Sequence, residues 1–133
     1  MSNFKPKNHI FTNWNKTMYI ATKKEVTVDD YNNEIVIYNT PFYFGKVNYQ
    51  PLTTKQMEAY MKTYGETENN VVSCLIDEKD KDKFDIFDLA YLYNAKPDNE
   101  STYGANANYK VRAFKPQNTK IMVLLEEIIK EEN

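Results

Sequence analysis

Short stretches rich in Val, Ile, Tyr and Phe recur along this chain about every ten residues, each closed by Asp, Asn, Pro or Gly. This spacing limits the fold more than any single motif. Strands that follow one another through short turns cannot form βαβ units, whose crossovers need a dozen residues or more, so they must close as a sandwich or barrel. The strand-like regions are "KTMYIATKKEVTV" (16–28), "EIVIYNT" (34–40), "PFYFGKVNY" (41–49), "NVVSCLIDE" (70–78), "IFDLAYLYN" (86–94), "ANYKVRAFK" (107–115) and "KIMVLLEEII" (120–129). "DDYNNE" (29–34) reads as a hairpin turn, because Asp and Asn tolerate positive φ and bond to nearby amides. Pro41 belongs at a strand start or an edge, and Gly45 inside its run suggests a bulge. In 107–115, Tyr109, Val111 and Ala113 alternate with Lys110, Arg112 and Phe114, as in a half-buried strand.

One stretch breaks the pattern. In "PLTTKQMEAYMKTYGETENN" (51–70), Met57, Tyr60, Met61 and Tyr64 recur with helical spacing. Thr53 or Thr54 can cap the start, Gln56 stands where a capping box needs it, and Gly65 stands at the stop. The expectation is a mainly β protein: a small barrel of about six or seven antiparallel strands with one short helix inserted at about 53–64. The helical stripe either caps the open end of the barrel or belongs to an element that reaches away from it.

Residues 1–15 lack periodicity and carry Pro6 and three spaced aromatics, Phe4, Phe11 and Trp14. They read as an extended arm ahead of one domain over 16–133, either a frayed terminus or a segment whose aromatics pack on a neighbour. At 133 residues the chain is long enough for one modest core. Eleven Tyr and seven Phe suit a half-buried sheet and a surface that docks on other proteins.

Several function classes find little support. The net charge of −2 provides no global attraction for duplex nucleic acid. The lone Cys74 has no partner for an internal disulfide, and mid-strand it reads as a small buried apolar group. His9 is the only histidine, and nothing local brings it to Cys74. Asp77, Glu78, Asp80, Asp82 and Asp85 are dense, but they alternate with Lys79, Lys81 and Lys83 and lack a calcium-loop spacing, which reads as a self-neutralising turn. Asp85 and Asp88 form a conceivable carboxylate pair without a cleft around them. No enzyme activity, metal or cofactor is expected. No run has the ~18 apolar residues of a membrane span. Neither a signal peptide nor membrane association is expected, and the chain is expected to fold in cytoplasm. A different possibility is an OB-like module for single-stranded nucleic acid, with Tyr91, Tyr93, Tyr109 and Phe114 stacking bases beside Lys110, Arg112 and Lys115.

From 16 to 129, five segments in order resemble the head-closure (stopper) proteins of tailed bacteriophages. "MYIATKKEVTVDDYNNEIVIYNT" is similar to their opening hairpin. "PFYFGKVNYQPLTTKQMEAYMKTYG" is similar to a strand leading into a short helix that ends on an aromatic and a glycine. "ENNVVSCLIDE" and "FDIFDLAYLYNAKPDN" are similar to the strands that follow, and "ANYKVRAFKPQNTKIMVLLEEI" to the closing hairpin. The arm at 1–15 and the loop at 95–106 are longer than that pattern needs. The resemblance implies a neck protein that closes the DNA-filled head below the portal and its adaptor ring, and that offers a platform to the tail. It implies a ring of copies, a hexamer or dodecamer, with the adaptor above, a tail terminator or tail tube below, and packaged DNA passing through the lumen. Another head–tail joining protein, such as a tail terminator, is the related alternative. In this scheme residues 50–69 are the element that reaches toward the channel, with Gln50, Thr53, Lys55, Glu66, Glu68 and Asn69 lining it. Glu66 and Glu68 would repel phosphate and let DNA slide. Phe4, Phe11, Trp14, Tyr60 and Tyr64 would contact the neighbouring subunit or the adaptor.

Overall fold

The computed structural model describes residues 15–93, 95–99 and 103–129. Eight strands and one α-helix occur in them: β1 (Asn15–Ala21), β2 (Lys23–Val28), β3 (Glu34–Tyr38), β4 (Phe42–Pro51), α1 (Thr54–Tyr64), β5 (Val71–Asp77), β6 (Leu89–Tyr91), β7 (Tyr109–Gln117) and β8 (Lys120–Glu127). Six of the strands close a barrel in the order β1-β4-β5-β8-β7-β6, and every pairing is antiparallel. The mainly β barrel with one short helix is therefore the fold, and the expected arm at 1–15 lies outside the described residues except for its last position.

The first strand-like run is two strands rather than one. It breaks at Thr22: β1 enters the barrel, and β2 leaves it to pair only with β3 as a separate two-stranded ribbon. Alternation alone could not place that break, because the run keeps its β-favouring character across Thr22. The Asp/Asn-rich turn forms as expected. Asp29 Oδ1 accepts from the Tyr31 and Asn33 amides at 2.8 and 2.9 Å, and Asn32 takes a φ of 64°.

The inner face of the barrel packs Met18, Ile20, Val47, Val72, Cys74, Ile76, Val111, Val123 and Leu125. β8 is buried on its outer face too, at Leu124, because α1 lies across that side of the wall. This double coverage accounts for the unbroken apolar run "IMVLL", which a strand with one wet face would not carry.

Two bulges adjust the wall. In β4 the pairing shifts from Met18 with Gly45 to Tyr19 with Tyr43, at the glycine where a bulge was expected. In β7 the pairing shifts between Val111 and Ala113, leaving Arg112 as the extra residue. Burial still alternates as expected, with Tyr109, Val111 and Ala113 buried and Lys110, Arg112 and Phe114 partly exposed, but the bulge changes which side of the wall the residues after it face. Val111 points inward, Ala113 lies in the outer cluster beneath the helix, and Phe114 packs back against the core cluster.

Candidate interaction surfaces

Two insertions leave the barrel, and they are finished differently. The first is α1 with the loop that follows it. Thr53 caps the helix through a capping box: its hydroxyl accepts from the Gln56 amide at 3.2 Å, and Gln56 Oε1 accepts from the Thr53 amide at 2.9 Å. Met57, Tyr60, Met61 and Tyr64 then pack against Leu52, Val71, Ala113, Met122 and Leu124. The stripe thus covers the side of the barrel rather than capping its open end.

A polar knot joins this helix to the wall. Glu126 of β8 accepts from the Tyr60 hydroxyl, from Thr67 Oγ1 at 3.1 Å and from Asn69 Nδ2 at 3.1 Å. The Thr67 hydroxyl also accepts from the Asn69 amide at 3.0 Å. Arg112, turned outward by its bulge, brings Nε within 3.8 Å of Glu126 Oε1. Burial works to raise the Glu126 carboxyl, but the bonds from Tyr60, Asn69 and Thr67 and the charge of Arg112 outweigh it and hold the carboxyl below its ordinary value. Burial, with the same bond to Glu126, pushes the Tyr60 phenol up to about 12.

The residues expected to line a channel are therefore not equivalent. Gln50 lies inside β4, opposite Ser73 of β5, rather than in a loop. Thr53 is the helix cap, and Asn69 is held by Glu126. Lys55, Glu66 and Glu68 are exposed. Among the expected neighbour contacts, Tyr60 is buried at 2% exposure and serves the fold, while Tyr64 is half-buried. Phe4, Phe11 and Trp14 lie outside the described residues.

The second insertion is the β2–β3 ribbon. Its base is anchored. The Lys23 amide donates to Asp88 Oδ1 at 2.9 Å, the Asn39 amide donates to the Thr22 carbonyl at 2.8 Å, and Tyr38 packs on the cluster of Ala21, Leu89, Tyr91 and Ala107. Gly104 lies against Tyr38 and Leu89, so that a Cβ there would come within 3.0 Å of both. Beyond the base the ribbon is bare. Val26 opposes Val36, Thr27 opposes Ile35 and Glu25 opposes Ile37, so both faces carry apolar side chains. Val26, Val28, Ile35 and Ile37 are all exposed, and Tyr31 at the tip is 85% exposed.

Between the two insertions sits Phe87. It is a bulky residue at φ 71°, a strained backbone for anything but glycine, held by its amide donating to the Val111 carbonyl at 2.7 Å. The residue is 43% exposed. Lys23 Nζ, Lys110 Nζ and the Arg112 guanidinium lie 5.9, 5.9 and 5.7 Å from the ring centroid. Arg112 also lies 5.7 Å from the Tyr64 ring, which links the patch to the end of α1. The sequence does not group these residues with Phe87. Only Lys110 and Arg112 were marked as basic candidates, and the convergence depends on a bulge and a positive φ that have no glycine to signal them.

The remaining candidates reduce to local chemistry. Asp88 and Asp85 do come together beside an open depression of about 530 Å³. Both Asp88 oxygens accept backbone amides, from Lys23 and Asp85, and Asp85 Oδ1 accepts the Ile86 amide, so these carboxylates act as turn staples. In the charged loop Lys81 pairs with Glu78 and Lys83 with Asp80, the self-neutralising arrangement expected. Among the described residues no cluster has the makings of a metal site, and no helix is long and apolar enough to cross a membrane. Cys74 is buried, and burial pushes its thiol up to about 12. Of the proposed base-stacking aromatics, Tyr91 and Tyr109 lie in the core and Phe114 packs on Phe84 at 5.4 Å, which leaves Tyr93 exposed. Comparison with family models, with curated proteins and with solved structures returns no match to this chain.

Proposed function

We propose that this chain is a structural assembly protein, a head-closure component of the neck of a tailed bacteriophage. In this reading copies form a ring, a hexamer or dodecamer, below the portal and its adaptor. The ring retains the packaged genome and receives the tail terminator or tail tube. Its place is the virion neck, assembled in the host bacterial cytoplasm. The observation that carries the reading is the ribbon β2–β3: a small closed barrel projects a hairpin whose apolar residues face solvent on both sides. Exposed apolar surface of that kind belongs to a protein that completes its packing on a partner. The five segments that resemble the head-closure family run in the same order as these elements. The exposed Glu66 and Glu68, close to the end of α1, suit a lumen along which DNA slides.

Disrupting the gene in its phage or prophage and imaging the lysate tests the reading. Separate tails beside tailless heads that have lost their DNA are expected. Normal tailed particles would overturn it.

A second reading, an OB-like module for single-stranded nucleic acid, is favoured by one observation: the exposed Phe87 ring with three cations around it. A labelled oligonucleotide followed by fluorescence anisotropy decides it. Micromolar, salt-sensitive binding supports this module, and no binding removes it.

A further inference from the structure

Two surface features of this chain are complementary and cannot satisfy each other within one molecule. The tip of the β2–β3 ribbon is acidic and aromatic: Asp29, Asp30, Tyr31 and Glu34 follow one another around the turn. The Phe87 patch is basic and aromatic, with Lys23, Lys110 and Arg112 gathered on one ring. Arg112 has Glu126 as a counter-charge, but Lys23 and Lys110 make no ion pair among the described residues. Nor do Asp30 and Glu34.

The distance between them is fixed by β2 itself. Lys23 opens that strand and Asp29 follows its last residue. A strand of this length spans roughly 20 Å, so the tip cannot fold back onto the patch at its own base. The strand keeps the complementary ends apart, and only a second molecule can bring them together. The ribbon between them adds what such a contact needs. It has two unpaired strand edges and apolar residues on both faces, which a neighbouring molecule would cover.

We infer that the tip of the β2–β3 ribbon of one copy docks on the Phe87 patch of another copy. The acidic tip meets Lys23 and Lys110, Tyr31 packs beside Phe87, and the exposed ribbon residues are covered along the contact. This deepens the ring of copies proposed above and rests on that reading only in taking the partner to be another copy. A one-way contact repeats from copy to copy and gives a ring where its rotation closes, whereas a reciprocal contact stops at two.

Sedimentation of the purified full chain up to millimolar concentration, at low and at high salt, tests the contact. Reversible association that weakens with salt is expected, since exposed charges are screened within about 3 Å at 1 M ionic strength. A tip variant, D30K with E34K, and a patch variant, K110E, should each raise the dissociation constant about tenfold or more, and mixing the two should restore association. Restoration in the mixture guards against a variant that is merely unfolded. F87G removes the ring at a positive φ that glycine adopts freely, so it should weaken association without lowering the melting temperature. A wild-type chain that stays monomeric throughout would overturn the contact, as would association indifferent to the tip, the patch and Phe87. Oligonucleotide binding lost in K110E, without self-association, would give the patch to nucleic acid and likewise overturn it. Association that stops at two copies would uphold the contact and count against the ring, while larger closed species uphold both. The virion role stands or falls separately, on the particle imaging.

Discussion

The helix insertion and the ribbon insertion leave the same barrel and meet its wall in opposite ways. α1 carries an apolar stripe and lays it on β7 and β8, and the loop after it is tied down at Glu126. The ribbon carries as many apolar side chains but meets the barrel only at its base, through Asp88, Thr22 and Tyr38. One insertion is completed by its own chain, and the other is left for something else to complete. The lesson is about what an apolar stripe means. In the helix it is core, so Tyr60, read from the sequence as a docking residue, belongs to the fold. In the ribbon it is surface, and surface that an isolated two-stranded sheet does not keep bare without a use.

This contrast can be broken from either side. Tyr60→Ala removes a buried ring and the hydroxyl that binds Glu126, and it should cost about 3–5 kcal/mol in chemical denaturation. A loss below about 1 kcal/mol would mean that α1 is not part of the cooperative barrel.

Glu126→Gln should cost about 2 kcal/mol near neutral pH, because the knot loses its charge-assisted bonds. The effect should depend on pH in a defined direction. The folded carboxyl lies below its ordinary value of 4.5, so its stabilising contribution is fully present above that pH and is lost as the pH falls through the folded value. Wild type and E126Q should therefore converge in stability as the pH falls from 4.5 through the folded value. Melting curves at stepped pH that stay parallel would break the assignment.

Thr53→Ala should cost about 1 kcal/mol, the usual worth of an N-cap hydroxyl, and T53S should recover most of it. Val26→Thr and Ile37→Thr in the ribbon should change the stability of the separate chain by no more than about 0.5 kcal/mol. A destabilisation as large as that of Tyr60→Ala would show that the ribbon is packed within the molecule and would erase the contrast.

Much of the fold was legible where local chemistry and pattern agree. Thr53, Gln56 and Gly65 bracketed the helix because caps are local. Asp29 and Asn32 marked the hairpin turn, and Gly45 marked a bulge, because a positive φ leaves a residue signature. What escaped was set by tertiary context. The break at Thr22 has no local marker, since either side of it favours extended backbone. The bulge at Arg112 and the left-handed Phe87 have no glycine to announce them, so neither the phase change in β7 nor the cationic patch could be read. Gln50, placed in a loop by reading the strand as ending at Tyr49, is carried on into β4 by its pairing with Ser73. The candidate surfaces were legible only in part. Composition showed that many aromatics were present, but topology decided which of them, such as Tyr91 and Tyr109, are core and which, such as Tyr31 and Phe87, are not.

Native-state hydrogen exchange on the full chain, dilute and then concentrated, tests the contrast most directly. The account predicts that amides of α1, β5 and β8 exchange only through global unfolding at both concentrations. It predicts that the ribbon amides, from Glu25 to Ile37, exchange through local opening when dilute and gain protection when copies associate. Ribbon amides as protected as those of β8 in the dilute chain, or unchanged by association, would contradict it.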